Sequence, residues 1–117
     1  MLSSRTQYRK VSYREKRKDR RILFPPLAIV VAGTAFETAN WSFGGFLIDG
    51  CDLEVGFGDQ IAGTLGWEEL RFAFAGRVSR FGGEARELAV GFTEISDDAL
   101  MFLDRRLSDY LATQKRK

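Results

Sequence analysis

Hydrophobic and polar positions alternate through most of the chain, and the period changes only near the C-terminus. Leu27-Ala28-Ile29-Val30-Val31 is rich in β-branched residues and runs into Gly33-Thr34, which predicts a strand ending in a turn. Ala35 to Trp41 predicts a second strand, and Gly44-Gly45 bends the chain into a third at Phe46-Leu47-Ile48. Residues 50–60 hold three glycines and two aspartates, so they read as a loop with short extended pieces and Leu53 and Val55 turned inward. Gln60 to Trp67 suggests a fourth strand. From Arg71 to Arg80 the alternation is clear, with Phe72, Phe74, Gly76 and Val78 on one face. Gly82-Gly83 is read as a tight turn, and Glu87 to Phe92 returns with Leu88, Val90 and Phe92 facing inward. Leu100, Leu103, Leu107, Tyr110 and Leu111 then repeat at three and four, the stripe of an amphipathic helix. Ser96 is its expected N-cap, with Asp97 and Asp98 at the positive helix end. About six consecutive antiparallel strands in a short chain favour a closed barrel, because closure removes edges. The helix is expected to cover a barrel mouth or an edge.

A chain of 117 residues is expected to form one domain, and a hydrophobic fraction of 44% supplies a core. Cys51 is the one cysteine, so no internal disulfide can form and a reducing compartment is expected. No apolar run has the length of a membrane span, and the polar, basic N-terminus does not read as a signal peptide. The expected location is the cytoplasm.

Charge divides the chain. Residues 1–21 carry nine Lys/Arg and two acidic residues, a net +7, while residues 22–117 carry a net −5. A cationic arm on a negative body favours an anionic partner, namely a nucleotide, a nucleic acid or a membrane surface. A solvated arm without a partner is the plain alternative. Residues 1–13 read as a flexible basic arm. Pro25-Pro26 ends any helical turn in the arm and holds Phe24 extended.

Catalysis finds little support. There is no histidine, and no nucleophile–base pair, phosphate-binding loop or metal-ligand cluster is recognisable. No cofactor and no metal site are expected. Two short motifs carry the remaining chemistry. Arg17-Lys18-Asp19-Arg20-Arg21 gives R-x-x-x-R, and Asn40-Trp41-Ser42-Phe43-Gly44-Gly45 gives N-x-S-x-x-G. Arginine combines a fixed charge with a planar fork that grips phosphate or the O6/N7 edge of guanine, and its plane stacks on a base. Positions i and i+4 share one side of a helical turn and of an extended chain, so Arg17 and Arg21 can converge on one ligand. In an extended stretch Asn40 and Ser42 face one side and Trp41 the other, which makes Trp41 a core residue whose indole N–H needs a partner. Gly44 and Gly45 permit positive φ and close backbone approach. The plain alternative is a strand ending in a turn, with Asn40 and Ser42 bonded to local backbone.

In order and spacing, the two motifs together resemble the signature of the PilZ domain, the bacterial receptor for cyclic di-GMP. Val55-Gly56-Phe57-Gly58-Asp59 resembles the family's Gly-Asp turn. Ala75-Gly76-Arg77-Val78 and Gly91-Phe92-Thr93-Glu94 resemble two of its strands. The resemblance covers roughly residues 14–111. It implies a mostly β fold: a six-stranded antiparallel β-barrel over about 26–94 and a C-terminal helix over about 97–114, within a domain of 14–114. It also implies a non-enzymatic bacterial cytoplasmic protein that binds cyclic di-GMP on the barrel's outer surface. Arg17 and Arg21 would hold phosphates and guanine edges, and Asn40, Ser42 and Gly45 would form the barrel-side wall. Arg20 is an additional candidate contact, and Lys16 a further nearby cation. The family accepts Asp or Asn at the first motif position, and the neutral Asn40 lacks a carboxylate's pull on guanine N–H groups.

The implied mechanism is an arm that reorders over the ligand, its new position being read by a downstream protein or an attached domain. Ordering costs about 1–2 kcal/mol per residue, and a micromolar complex gives about −8 kcal/mol net. Only the few residues near Arg17 to Arg21 are therefore expected to become fixed. Two rival readings remain: a PilZ-like protein-interaction scaffold without nucleotide, and a single-stranded nucleic-acid binder that uses the basic arm.

Overall fold

A computed structural model describes residues 8–10, 21–23 and 25–115. The chain is mostly β, with antiparallel strands and one C-terminal helix. The described strands are β1 (Tyr8–Lys10), β2 (Ala28–Val31), β3 (Thr34–Glu37), β4 (Asn40–Ser42), β5 (Gly45–Ile48), β6 (Gln60–Trp67), β7 (Leu70–Gly82) and β8 (Glu87–Ser96). Helix α1 spans Asp97–Lys115. Phe24 and most of the basic arm, including Arg17 and Arg20, lie outside the described residues. Within the stretch read as a flexible arm, Tyr8–Lys10 pairs antiparallel with Glu94–Ser96 of β8.

The sheet runs β3-β2-β6-β7-β8-β5-β4. Its two ends, β3 and β4, are consecutive in the chain and separated only by Thr38-Ala39. The expected single strand from Ala35 to Trp41 is therefore bent, one half pairing with β2 and the other with β5. Thr38 makes the bend. Buried at 5% exposure, its backbone N–H donates to Leu27 O at 3.0 Å, and its Oγ1 accepts from Leu27 N at 2.9 Å. The hydroxyl thus replaces a ladder partner that the bend removes. Ala39 N donates to Leu47 O at 2.7 Å and carries the pairing on to β5. Counting the bent run once, six extended runs form a path that returns to its start, as expected of a small barrel.

Inside lie Trp41, Phe46, Phe74, Val78, Leu88, Val90, Phe92 and Ile95, all almost fully buried. Phe46, Phe74 and Phe92 meet with ring centroids 5.5–5.8 Å apart at steep tilts, an arrangement that suits their quadrupoles. Up to Val78 on β7 and Phe92 on β8, the inward sets are the residues that alternation selects. The Gly82-Gly83 signal opens a longer connection through residues 83–86, in which Gly83 and Arg86 both take positive φ.

Helix α1 starts as expected: Ser96 Oγ accepts from Ala99 N at 3.0 Å. Ala99, Phe102 and Leu103 face the barrel, and Phe102 packs on Phe72 with centroids 5.2 Å apart. Arg106 lies over the Trp67 ring at 4.9 Å from its centroid and reaches Pro26 O. Burial lowers its pKa from the ordinary guanidinium value, while Asp109 and Glu68 oppose that shift. No described helix is long and apolar enough to cross a membrane.

Candidate functional site

One bridge brings the two motifs together. Ile22 and Trp41 exchange backbone hydrogen bonds of 2.8 and 2.9 Å in antiparallel register. Side chains alternate across a strand, so burying both Ile22 and Trp41 turns their neighbours Arg21 and Ser42 to the other face. There Arg21 Nη1 donates to Ser42 Oγ at 3.1 Å, although the residues are 21 apart in the chain. The same Oγ accepts from Gly44 N at 3.1 Å and pins the corner between β4 and β5. Trp41 is fully buried, and its Nε1–H donates to Pro25 O at 2.7 Å. The indole thereby anchors the two-proline segment that follows Arg21.

Arg21 and Ser42 open onto a cavity of about 400 Å³ on the barrel's outer wall, together with Gly44 and Gly45. Its floor comes from β8: Leu88, Val90 and Phe92 face the core, and the alternate residues Ala89 and Gly91 leave the outer surface shallow. Gly45 sits opposite Gly91 in the ladder. A Cβ on Gly45 would lie 2.0 Å from Val90 O and 3.0 Å from Gly91 Cα, so only glycine lets these backbones approach. Its φ lies outside the left-handed region. Of the two properties expected of this glycine, close approach is the one in use.

Asn40 stands apart. Its backbone pairs with Leu47, and it does not line the cavity. Its Oδ1 is buried and accepts no hydrogen bond among the described residues. A buried acceptor without a partner costs about 1–3 kcal/mol. Structural asparagines at turns bond the local backbone, and Asn40 Oδ1 makes no such bond. Arg17 and Arg20 lie outside the described residues, so of the expected set the fold brings together Arg21, Ser42 and Gly45.

The cavity also contains a residue that sequence reasoning left out. Ser79 of β7 lines the wall opposite Arg21, and its Oγ donates to Ala89 O at 3.2 Å. Alternation marks Ser79 only as outward-facing. What sets it in the cavity is a register shift between Val78 and Arg80, which no local pattern announces.

The arrangement offers a guanidinium at the rim, hydroxyls on both sides and a flat floor of small residues. Such a surface suits a flat, polar, anionic ligand. No protein-family model matches the sequence. No curated protein matches it. Among solved structures, the chain is similar to the Bacillus subtilis inhibitor of motility MotI/DgrA, with a TM-score of 0.67 and 16% identity. The match covers 89% of this chain and 54% of that one, so the chain spans about half the length of that structure. The likeness fixes the fold.

Proposed function

We propose that this chain is a PilZ-type receptor for cyclic di-GMP, binding the dinucleotide in the outer-wall cavity beside Arg21. The observation that carries this reading is the Ile22–Trp41 bridge, which sets the last arginine of R-x-x-x-R against the serine of N-x-S-x-x-G at the mouth of one cavity. Neither motif alone is specific. Their convergence supports a shared ligand because two separate segments contribute a cation and a hydroxyl to the same space. In this reading Arg21 and Arg17 hold phosphates and guanine edges, with Arg20 as a further contact. Ser42 and Gly45 form the barrel side, with Asn40 beside them on β4 outside the cavity lining. Repositioning of the basic arm is the output, delivered to a downstream protein in the bacterial cytoplasm without catalysis.

Calorimetric titration tests the reading, with cyclic di-AMP and GTP as competitors. Wild type is expected to saturate with cyclic di-GMP at micromolar affinity or better, about −8 kcal/mol. Arg21→Ala and Arg17→Ala are each expected to lose about 2–4 kcal/mol, since a bound anion loses a charged partner. An Arg21→Ala protein that binds like wild type would refute the assignment. No wild-type binding at about 100 µM, weaker than about −5.5 kcal/mol, would favour a protein-interaction scaffold with the same fold.

A further inference from the structure

We infer that Ser79 is a specificity-determining residue of the cavity, accepting a hydrogen bond from the exocyclic amine of guanine. The inference rests on the cyclic di-GMP reading above and deepens it. Its starting point is the register of β7 against β8. Val78 pairs with Val90 and Arg80 pairs with Ala89, so two steps on β7 match one step on β8. Ser79 is the extra residue, a β-bulge.

The bulge has a visible consequence for the strand. Val78 faces the core, and strict alternation would send Arg80 inward and Phe81 outward. Instead Arg80 is exposed and paired with Glu87 at 2.9 Å, while Phe81 packs against the core cluster. Inserting one residue restores the correct phase for both. It also leaves the Ser79 side chain outside the barrel, next to the floor formed by Ala89 and Gly91.

The hydroxyl's chemistry follows from the bond it makes among the described residues. Ser79 Oγ donates its proton to Ala89 O at 3.2 Å. A hydroxyl has one donor and two acceptor lone pairs, so with the proton committed it presents acceptors to the cavity. Arg21, on the opposite rim, presents donors. A wall with donors on one side and an acceptor on the other selects a base that carries acceptors on one edge and a donor on the other. Guanine has O6 and N7 acceptors and an N2 amine donor, and adenine has no amine at that position. Bulges recur beside binding sites because they re-aim a side chain. A purely structural role, in which Ser79 only satisfies the Ala89 carbonyl, predicts a stability effect without any change in ligand preference.

A four-way cycle separates the two. Wild type and Ser79→Ala are titrated with cyclic di-GMP and with cyclic di-IMP, the same ring lacking the N2 amine, and Ser79→Thr serves as the conservative variant. Removing the amine is expected to weaken wild-type binding about 5- to 10-fold, and to leave Ser79→Ala binding within about 2-fold. Ser79→Thr is expected to restore the preference, because it keeps the hydroxyl. Thermal unfolding of each variant checks that the barrel is intact. Equal sensitivity to the amine in wild type and Ser79→Ala overturns the inference while leaving cyclic di-GMP binding in place. Failure of wild type to bind either ring overturns the parent reading and this one with it.

Discussion

Asn40 and Arg106 each bury a polar atom that the described residues leave unsatisfied, and of the two Asn40 belongs to the N-x-S-x-x-G motif. Its Oδ1 is buried without a hydrogen-bond partner, and folding gains nothing from that atom. Trp41 has a core position and the Pro25 carbonyl, and Ser42 takes bonds from Arg21 and Gly44. In the proposed cyclic di-GMP reading, the buried Asn40 acceptor would take a guanine N–H. Asn40→Ala is expected to leave urea-unfolding stability unchanged or raise it by up to about 1 kcal/mol, because an orphaned acceptor disappears. The same variant is expected to weaken cyclic di-GMP by about 5- to 30-fold, read by calorimetry. A variant that loses stability and keeps its affinity would make Asn40 a structural residue. At this scale the sequence was informative about which residues face the core. It correctly separated Trp41 from its neighbours by period, because alternation is a local property. It missed Ser79, whose place depends on an insertion relative to another strand.

Elements were legible where one face is apolar and the register simple. β6, β7 and β8 and helix α1 follow from alternation, from the three–four stripe and from the Ser96 cap. The stretch from Ala35 to Trp41 reads as one strand, and its division into β3 and β4 was not visible, because the bend depends on Thr38 bonding to Leu27 at the open end of the β2–β3 hairpin. Thr38 carries a β-branched side chain that suits a strand, and nothing in its neighbours announces a buried hydroxyl. Thr38→Val tests the account because the two side chains have nearly the same shape. The change leaves Leu27 N–H buried without its acceptor, and a loss of about 1–3 kcal/mol in urea unfolding is expected. The bend also fixes where Ala39 hands over to β5, so the cost falls on barrel closure. A neutral Thr38→Val would mean that the backbone alone holds the corner.

Closure itself is a property of the whole molecule, since it depends on pairings such as β2 with β6 and β5 with β8 that lie far apart in the chain. The sequence suggests a barrel by the count of strands and by the family resemblance, and shows neither pairing. Charge, by contrast, is legible at full scale from composition: +7 in residues 1–21 against −5 in the remainder. That division gives the sharpest discrimination between a dinucleotide receptor and a nucleic-acid binder. A single strand lying along the arm could engage up to its nine cations, and single-strand binding falls with salt at a log–log slope of about −0.7 per phosphate, or about −6 in total. A cyclic dinucleotide has two phosphates, and the negative body opposes any longer polyanion beyond the cavity. The dinucleotide slope is therefore expected near −1 to −2 between about 50 and 500 mM salt. Titration of cyclic di-GMP and of a short single-stranded oligonucleotide across that range reads both slopes directly. A shallow slope with saturation at the cavity supports the receptor. Tight oligonucleotide binding with a slope near −6 would move the function from the cavity to the arm.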